Sequence, residues 1–507
     1  MNVQQTSVLA TLVALSTLVA CGGGSSSDSG PADSTTLPSD GGGTAGGSTN
    51  TASAAVYGTV TGFGSIHVNG VQYDTSQSQI THHGEHATLA ELEAGHVVHL
   101  EAQRDAHGGT PQASQIHHDV LLRGPIESYD PDTDSYRVLK HRVQVGAGTA
   151  DDGTWAQWGP GTYLMIDGHH LADGSVLATR IEKDPASDAC EIIGRVSSLD
   201  QASRRLRIQD LQVDYSAAML ADTDIPAVGQ TVRVHGTRID SSGTLIADRL
   251  ERWNLLRARA GNNVQLEGAI TRYGSSTDFD VMGYRIRGDG ATRFVDGSPA
   301  DLAANRRVQI EGRYGDDGSV SASTIRIHRE AGFRAEGAVE AIDVGAKTLR
   351  ILGVTVTVDA YTRLHDDGPM HDMYVSLESL AVGAWIEVWG YTDPGNSSRL
   401  VATRLERESQ VQGLSEIVSR PTEISPPSLL ILGIRVATGP ATQFLVDGAS
   451  VTAEQFFSQV TTDRMVLVEG AWDGVTLTAS KLSTLGPGSG PGDGHHHEPG
   501  PMPGGDG

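Results

Sequence analysis

The sequence predicts an all-β protein: a tandem array of six small, OB-like five-stranded barrels, with a flexible N-terminal tether and a disordered C-terminal tail. Two observations predict it. A Gly-centred strand, a period-2 hairpin and a second hairpin recur six times between Ala55 and Thr484. Glycine is abundant, at 62 residues, and aromatics make up 5% of the chain, a composition of short strands and turns rather than long helices. With 507 residues the chain is also too long for one compact core.

The elements follow in order. Residues 8–20, "VLATLVALSTLVA", carry no charge, and "CGGGSSSDSG" follows. A run of about 13 apolar residues is too short to cross a bilayer, which takes roughly 20, and it suits a secretory signal. Leu18-Val19-Ala20-Cys21 resembles the lipobox of bacterial lipoproteins. That resemblance implies cleavage before Cys21 and acylation of its thiol, with palmitate among the acyl groups. Gly22 after the cysteine implies the outer membrane of a Gram-negative envelope. One feature departs from the pattern: the first basic side chain in the chain is Arg104, so the signal has no charged start. Residues 22–54 are almost wholly Gly, Ser, Thr, Asp and Pro, and cannot bury enough surface to offset the entropy of ordering. They read as a spacer. The Gly/Pro/His-rich segment 486–507 reads as disordered.

Between them the unit repeats. "SIHVNGVQYDT" at Ser65 returns as "RLRIQDLQVDY", "DFDVMGYRIRG", "TLRILGVTVTV" and "SLLILGIRVAT", and as "SYRVLKHRVQV", which lacks the turn glycine. Each copy is two alternating strands about a two-residue turn. A strand centred on Gly58, Gly124, Gly194, Gly268, Gly337 or Gly413 precedes it, and a second hairpin follows. Five strands, with a helix-like connection such as "TLAELEAG" between the third and fourth, is the order of an OB barrel. The boundaries are signal peptide 1–20, anchor and tether 21–54, and repeats 55–121, 122–189, 190–260, 261–331, 332–409 and 410–485. "GFGSIHVNGVQYDT", with its Gly-Phe-Gly-Ser opening and Asn-Gly turn, resembles the bacterial domain-of-unknown-function family 5666. The resemblance implies a tandem-repeat lipoprotein and carries no activity.

Acidic residues outnumber basic ones, 62 to 37, for a formal charge of -25. Nucleic acid is therefore not an expected partner, since phosphate binding needs clustered Lys and Arg. Two cysteines exclude a disulfide framework and a Cys-rich metal cluster, and Cys190, beside Ile192 and Ile193, reads as a buried structural thiol. The chain contains no GxSxG elbow, P-loop, SxxK or GxGxxG opening a helix. The expected function is non-catalytic: binding or scaffolding at the envelope, toward a protein or glycan partner, with the N-terminal lipid in the membrane.

The alternative is metal handling. Nine of the 19 histidines lie in the first repeat, and "HHGEH" places His82, His83 and His86 in the connection after its third strand. The fifth repeat has "HDDGPMHD" there, with His365 and His371. Imidazoles so grouped can bind zinc, copper or nickel; a solvated polar loop is the plainer reading. "DPDTDSY" from Asp130 starts like a calcium loop but lacks its Gly and Glu, and reads as a turn. Trp155, Trp158, Trp385, Trp389 and Trp472 can stack on sugar rings, although Trp385 and Trp389 share a strand face and read as core.

The anchor is testable. Cys21→Ser is expected to leave the protein uncleaved or released from membranes on fractionation. Normal processing with wild-type membrane retention would contradict acylation at this residue.

Overall fold

The computed structural model describes residues 52–491, apart from 105–108, 132, 147, 152–157, 186–187, 222–225, 367–374, 409–412 and 487–489. The signal, Cys21, the tether as far as residue 51 and the terminal histidines lie outside the described residues, while residues 52–54, read from the sequence as the end of the spacer, begin the first strand. No helix among those described is long and apolar enough to cross a membrane.

The first repeat comprises β1 (Ala52–Gly62), β2 (Ile66–Val68), β3 (Val71–Tyr73), β4 (Gln79–His82), β5 (Glu85–Ala87), β6 (Val97–Arg104) and β7 (Gln112–His118). Antiparallel ladders join β1 to β2, β2 to β3, β1 to β6 and β6 to β7. A parallel bridge, Asp74 to Gln112, joins the end of β3 to β7 and closes a five-stranded barrel. Around the barrel the order is β1-β2-β3-β7-β6, with one parallel contact. The other repeats keep it: the parallel seam is Val143 to Val176, Val213 to Leu245, Ile286 to Val320, Val356 to Leu400 and Val436 to Leu477. Closure leaves few free edges.

The recurring glycine and the recurring turn explain each other. Asn69-Gly70 has φ of 55° and 74°, the left-handed pair of a type I′ turn. This turn folds back over β1. A Cβ on Gly58 would sit 2.1 Å from Asn69 Oδ1, and Leu139, Met282 and Leu352 lie over Gly124, Gly268 and Gly337 in the same way. The second repeat, without a turn glycine, holds Leu139 and Lys140 at φ 45° and 65°. Glu127 secures Lys140 there, accepting its backbone N–H at 3.0 Å and its Nζ at 3.2 Å. Two residues beyond the glycine each first strand bulges, as between Val60 and Gly62. An extra residue bends the strand around a small barrel. The sixth repeat departs from the expected alignment. Its bulge falls at Pro421, so Ser419 stands where the others have glycine, and Gly413 precedes the strand at φ 69°.

The barrels do not hang as beads on a string. Above its bulge each first strand also pairs with the first strand of another repeat. Ala54–Tyr57 runs parallel to Asn263–Leu266, joining barrels 1 and 4. In barrels 2 and 3, β8 (Leu122–Asp130) pairs antiparallel with the strand Cys190–Asp200. Arg334–Glu336 pairs with Glu416–Val418, joining barrels 5 and 6. One buried apolar cluster runs through barrels 2 to 4 and takes in Ala55, Tyr57 and Val97 of barrel 1, and another runs through barrels 5 and 6. A barrel of about 60 residues buries too little surface to be secure alone. Pairing of first strands supplies the rest.

The glycine rule gives a direct test. Gly58→Ala is expected to destabilise the protein by about 1–3 kcal/mol, because the turn must move. Gly332→Ala, with nothing within 4 Å of its Cβ, is expected to be near neutral. Thermal melts of the two variants that coincide would contradict the packing role.

Candidate metal centre between the first two barrels

"HHGEH" forms a hairpin rather than an open loop. β4 ends at His82, His83-Gly84 is a left-handed turn with φ of 52° and 83°, and β5 returns with Glu85 opposite His82. β4 also runs parallel to β7, with His82 beside His118. This register brings together two histidines 36 residues apart. Their Nδ1 atoms are hydrogen-bonded to each other at 2.8 Å. The His83 ring lies 4.0 Å from the His82 ring and 5.2 Å from that of His118. One nitrogen from each of His82, His83 and His118 lies within 4.8 Å of the others.

The second barrel supplies the support. It includes β9 (Ser135–Val138), β10 (His141–Gln144), β11 (Tyr163–His170) and β12 (Val176–Lys183). Asp167 of β11 meets His118 Nε2 at 3.0 and 3.1 Å and accepts the Val97 N–H at 2.9 Å. An ionised carboxylate only accepts, so His118 carries a proton on Nε2 and turns Nδ1 toward His82. His96 stacks on His118 at 4.1 Å. Its Nδ1 accepts the Glu93 N–H at 3.0 Å and its Nε2 faces Glu182 at 3.4 Å, so both its nitrogens are committed. Arg180 closes the seam, pairing with Glu93 and donating to the Ala94 carbonyl.

Burial holds most of these imidazoles neutral. It lowers His82, and lowers His83 to about 3 and His96 to about 4. His118 is the exception. Burial would lower it, but the Asp167 charge and hydrogen bond outweigh that, and the net shift is upward. Neither ring nitrogen of His83 has a hydrogen-bond partner among the described residues, and both are shielded from solvent. A buried nitrogen without a partner is costly and calls for an explanation. A cation held by His82, His83 and His118 would satisfy it. His82 and His83 are half-buried residues.

The other predicted ligands fall elsewhere. His86 lies opposite Thr81, one residue out of phase with His82, and is exposed on the other face of the hairpin. The last β4–β7 pair, His82 with His118, becomes Asp366 with Arg407 in barrel 5 and Val446 with Thr484 in barrel 6. Arg407 Nε donates to Asp366 at 2.8 Å, so an ion pair takes the place of the imidazole pair. His365 stands one residue earlier, beside Glu406 and in no histidine cluster among the described residues, and His371 lies outside the described residues. His118 and Asp167 escape sequence reasoning because they meet only through β4–β7 register and barrel docking. One signal was present: a carboxylate inside the apolar run "YLMIDG".

Other candidates resolve as structure. Trp385, Trp389 and Trp472 donate their indole N–H to Glu336, Glu387 and Glu340 at 2.7–2.9 Å, and Trp158 is buried. Trp155 and Asp132 lie outside the described residues. Asp130 accepts from Thr133 at 2.8 Å within its turn. Burial pushes the Cys190 thiol up to about 11.

What the fold and this junction define is a fused array of OB-like barrels, of which one carries a cluster of three histidines. The family model described as "Domain of unknown function (DUF5666)" matches residues 57–117, 123–182, 193–251, 267–326, 336–406 and 422–483. The chain belongs to that family. No curated protein matches it.

A second junction, of barrels 1, 2 and 4, shapes the acid response. Glu267 takes the Thr59 N–H at 2.7 Å and Arg307 Nε at 2.6 Å, while His169 and His328 approach it at 3.9 and 3.8 Å. Burial lowers His169 to about 4 and His328 to about 3, and does the same to His99 and His141, to about 3 and about 4. The unfolded chain protonates these rings first, near pH 6.5. Their contribution is therefore complete above about 6.5 and is lost as pH falls toward 4. Glu191, pushed up to about 7 by burial despite Arg233, acts in the opposite sense between about 4.5 and 7. The four histidines outweigh it. The melting temperature is expected to drop from pH 6.5 to 4.5, and less steeply in His169→Leu. A flat profile would contradict these buried neutral rings.

Proposed function

We propose that the protein is a non-catalytic, lipid-anchored binding protein of the cell envelope that captures one divalent zinc, copper or nickel ion in its first barrel. The sequence alone favours a scaffold with metal handling second. The convergence of His82, His83 and His118 reverses that order, and it is the observation that carries the reading. Imidazole nitrogens suit borderline metals, and a fourth position is left for water or another ligand. A carboxylate behind one imidazole is the usual outer support of a metal-ligating histidine. The repeats serve as an internal comparison, since the same strand pair carries Asp366 and Arg407 in barrel 5. The other five barrels and the first-strand pairings then serve as the body that carries the site.

The test is calorimetric titration of the soluble chain, residues 22–507, with zinc, copper and nickel. One equivalent is expected to bind at micromolar or tighter affinity. His82→Ala and His83→Ala are each expected to weaken it by at least tenfold. His86→Ala, His365→Ala, and replacement of His495, His496 and His497 by Ser are expected to leave it in place. Absence of binding, or binding lost only with the tail histidines, would return the protein to the scaffold reading.

A further inference from the structure

Asp167 is an unusual member of its own barrel. It sits at a bulge in β11, where the register with β12 shifts between Asp167 and Gly168. Gly168 is required there, because a Cβ would lie 2.3 Å from the Leu177 carbonyl oxygen. Barrels 4 and 6 bulge at the equivalent place, after Glu311 and Glu469. Glu469 pairs with Lys481 of its own barrel at 2.7 Å. Asp167 instead leaves its barrel and is 2% exposed, bonded to a side chain and a backbone amide of barrel 1. A buried carboxylate is costly unless its oxygens are well bonded. Here two groups of the neighbouring barrel bond it, and one of them is a ring of the metal centre.

Resting on the metal reading above, we propose that Asp167 is the positioning residue of this centre, and that metal capture in barrel 1 is coupled to its docking on barrel 2. A neutral imidazole has one protonated and one free nitrogen. Asp167 takes the Nε2–H of His118 and so presents the Nδ1 lone pair to the site. Without barrel 2 the ring is free to carry its proton on Nδ1, where it blocks the metal. A bound cation withdraws electrons from the His118 ring and makes its Nε2–H a stronger donor to Asp167. The two effects are one coupling seen from two sides: if docking tightens the metal, the metal tightens docking by the same factor. Val97 reports on it, because its amide donates to the same Asp167 oxygen as His118.

The seam does not depend on Asp167 alone, so the variant is expected to fold. Thr179 Oγ1 donates to the Gly95 carbonyl at 2.7 Å, Arg180 Nη1 to that of Ala94 at 3.1 Å, and His96 faces Glu182 at 3.4 Å. Asparagine can still accept from Val97 while losing the charge that orders the ring.

The experiment compares wild type, Asp167→Asn and Asp167→Glu in the soluble chain, titrated with zinc and followed by amide hydrogen exchange. Asp167→Asn is expected to weaken zinc by about 10–100-fold with an unchanged circular dichroism spectrum, and Asp167→Glu to recover part of the loss. Zinc is expected to slow exchange of the Val97 amide in wild type and not in Asp167→Asn. In the metal-free protein, at a pH where His118 is neutral, its ¹⁵N shifts are expected to place the proton on Nε2 in wild type and to show a mixture of the Nδ1–H and Nε2–H tautomers in Asp167→Asn. Zinc affinity within twofold of wild type in Asp167→Asn, with the same response at Val97, would overturn the inference while leaving metal binding intact. Failure of the wild type to bind zinc would overturn the metal reading and with it the coupling; the ¹⁵N arm would still decide whether Asp167 orders the ring.

Discussion

The first strand of each repeat has to do two things at once, and the architecture depends on it. It pairs with two strands of its own barrel, one across the bulge and one above it, and a short stretch above the bulge also pairs with the first strand of another repeat. Barrels 1 and 4 join this way through a parallel ladder between residues about 200 apart in sequence. The remaining pairs are 2 with 3 and 5 with 6. Small closed barrels leave little apolar surface for further burial, so the pairing strands bring polar groups inside with them. Tyr73 reaches Gln265 at 3.2 Å, and Gln309 donates to the Asn69 carbonyl at 3.2 Å.

That burial sets the chemistry of the junctions. A carboxylate taken out of water must meet a cation or several donors. Glu191 meets Arg233 at 2.5 Å, Glu387 meets Arg334 at 2.9 Å, and Glu267 meets Arg307. Asp167 follows the same rule with an unusual partner, since a histidine fills the role that arginine fills elsewhere. Arginine has no lone pair to offer on its far side, but histidine has one. A histidine in this place therefore keeps a second ring nitrogen facing His82, with His83 beside it, where arginine would offer only donors.

Much of this was legible in the sequence. Period-2 alternation around Asn69-Gly70 gives the hairpin, and its returns give the repeats. The repeated glycine is readable as a pattern, but its cause, a turn residue lying across the strand, is not. In the sixth repeat the nearest glycine misleads, because Ser419 fills that position beside a bulge at Pro421. The pairing of barrels out of chain order leaves no local trace, since it depends on which edges face each other after closure. At the centre, His82 and His83 stand out by their crowding. His86 stands apart from them, because crowding ignores the alternation of faces within a hairpin. His118 ends a strand whose register with β4 is tertiary, and Asp167 belongs to another barrel.

The central claim is that a metal ion sits at the junction of two barrels rather than on the histidine-rich tail or a solvated loop. The most direct measurement is anomalous diffraction at the zinc edge from crystals of the zinc-loaded protein. A single strong peak is expected within bonding distance of His82, His83 and His118, with Asp167 still bonded to His118 Nε2. A peak at His86 or His365, at the tail histidines alone, or no peak at this junction, would contradict the account.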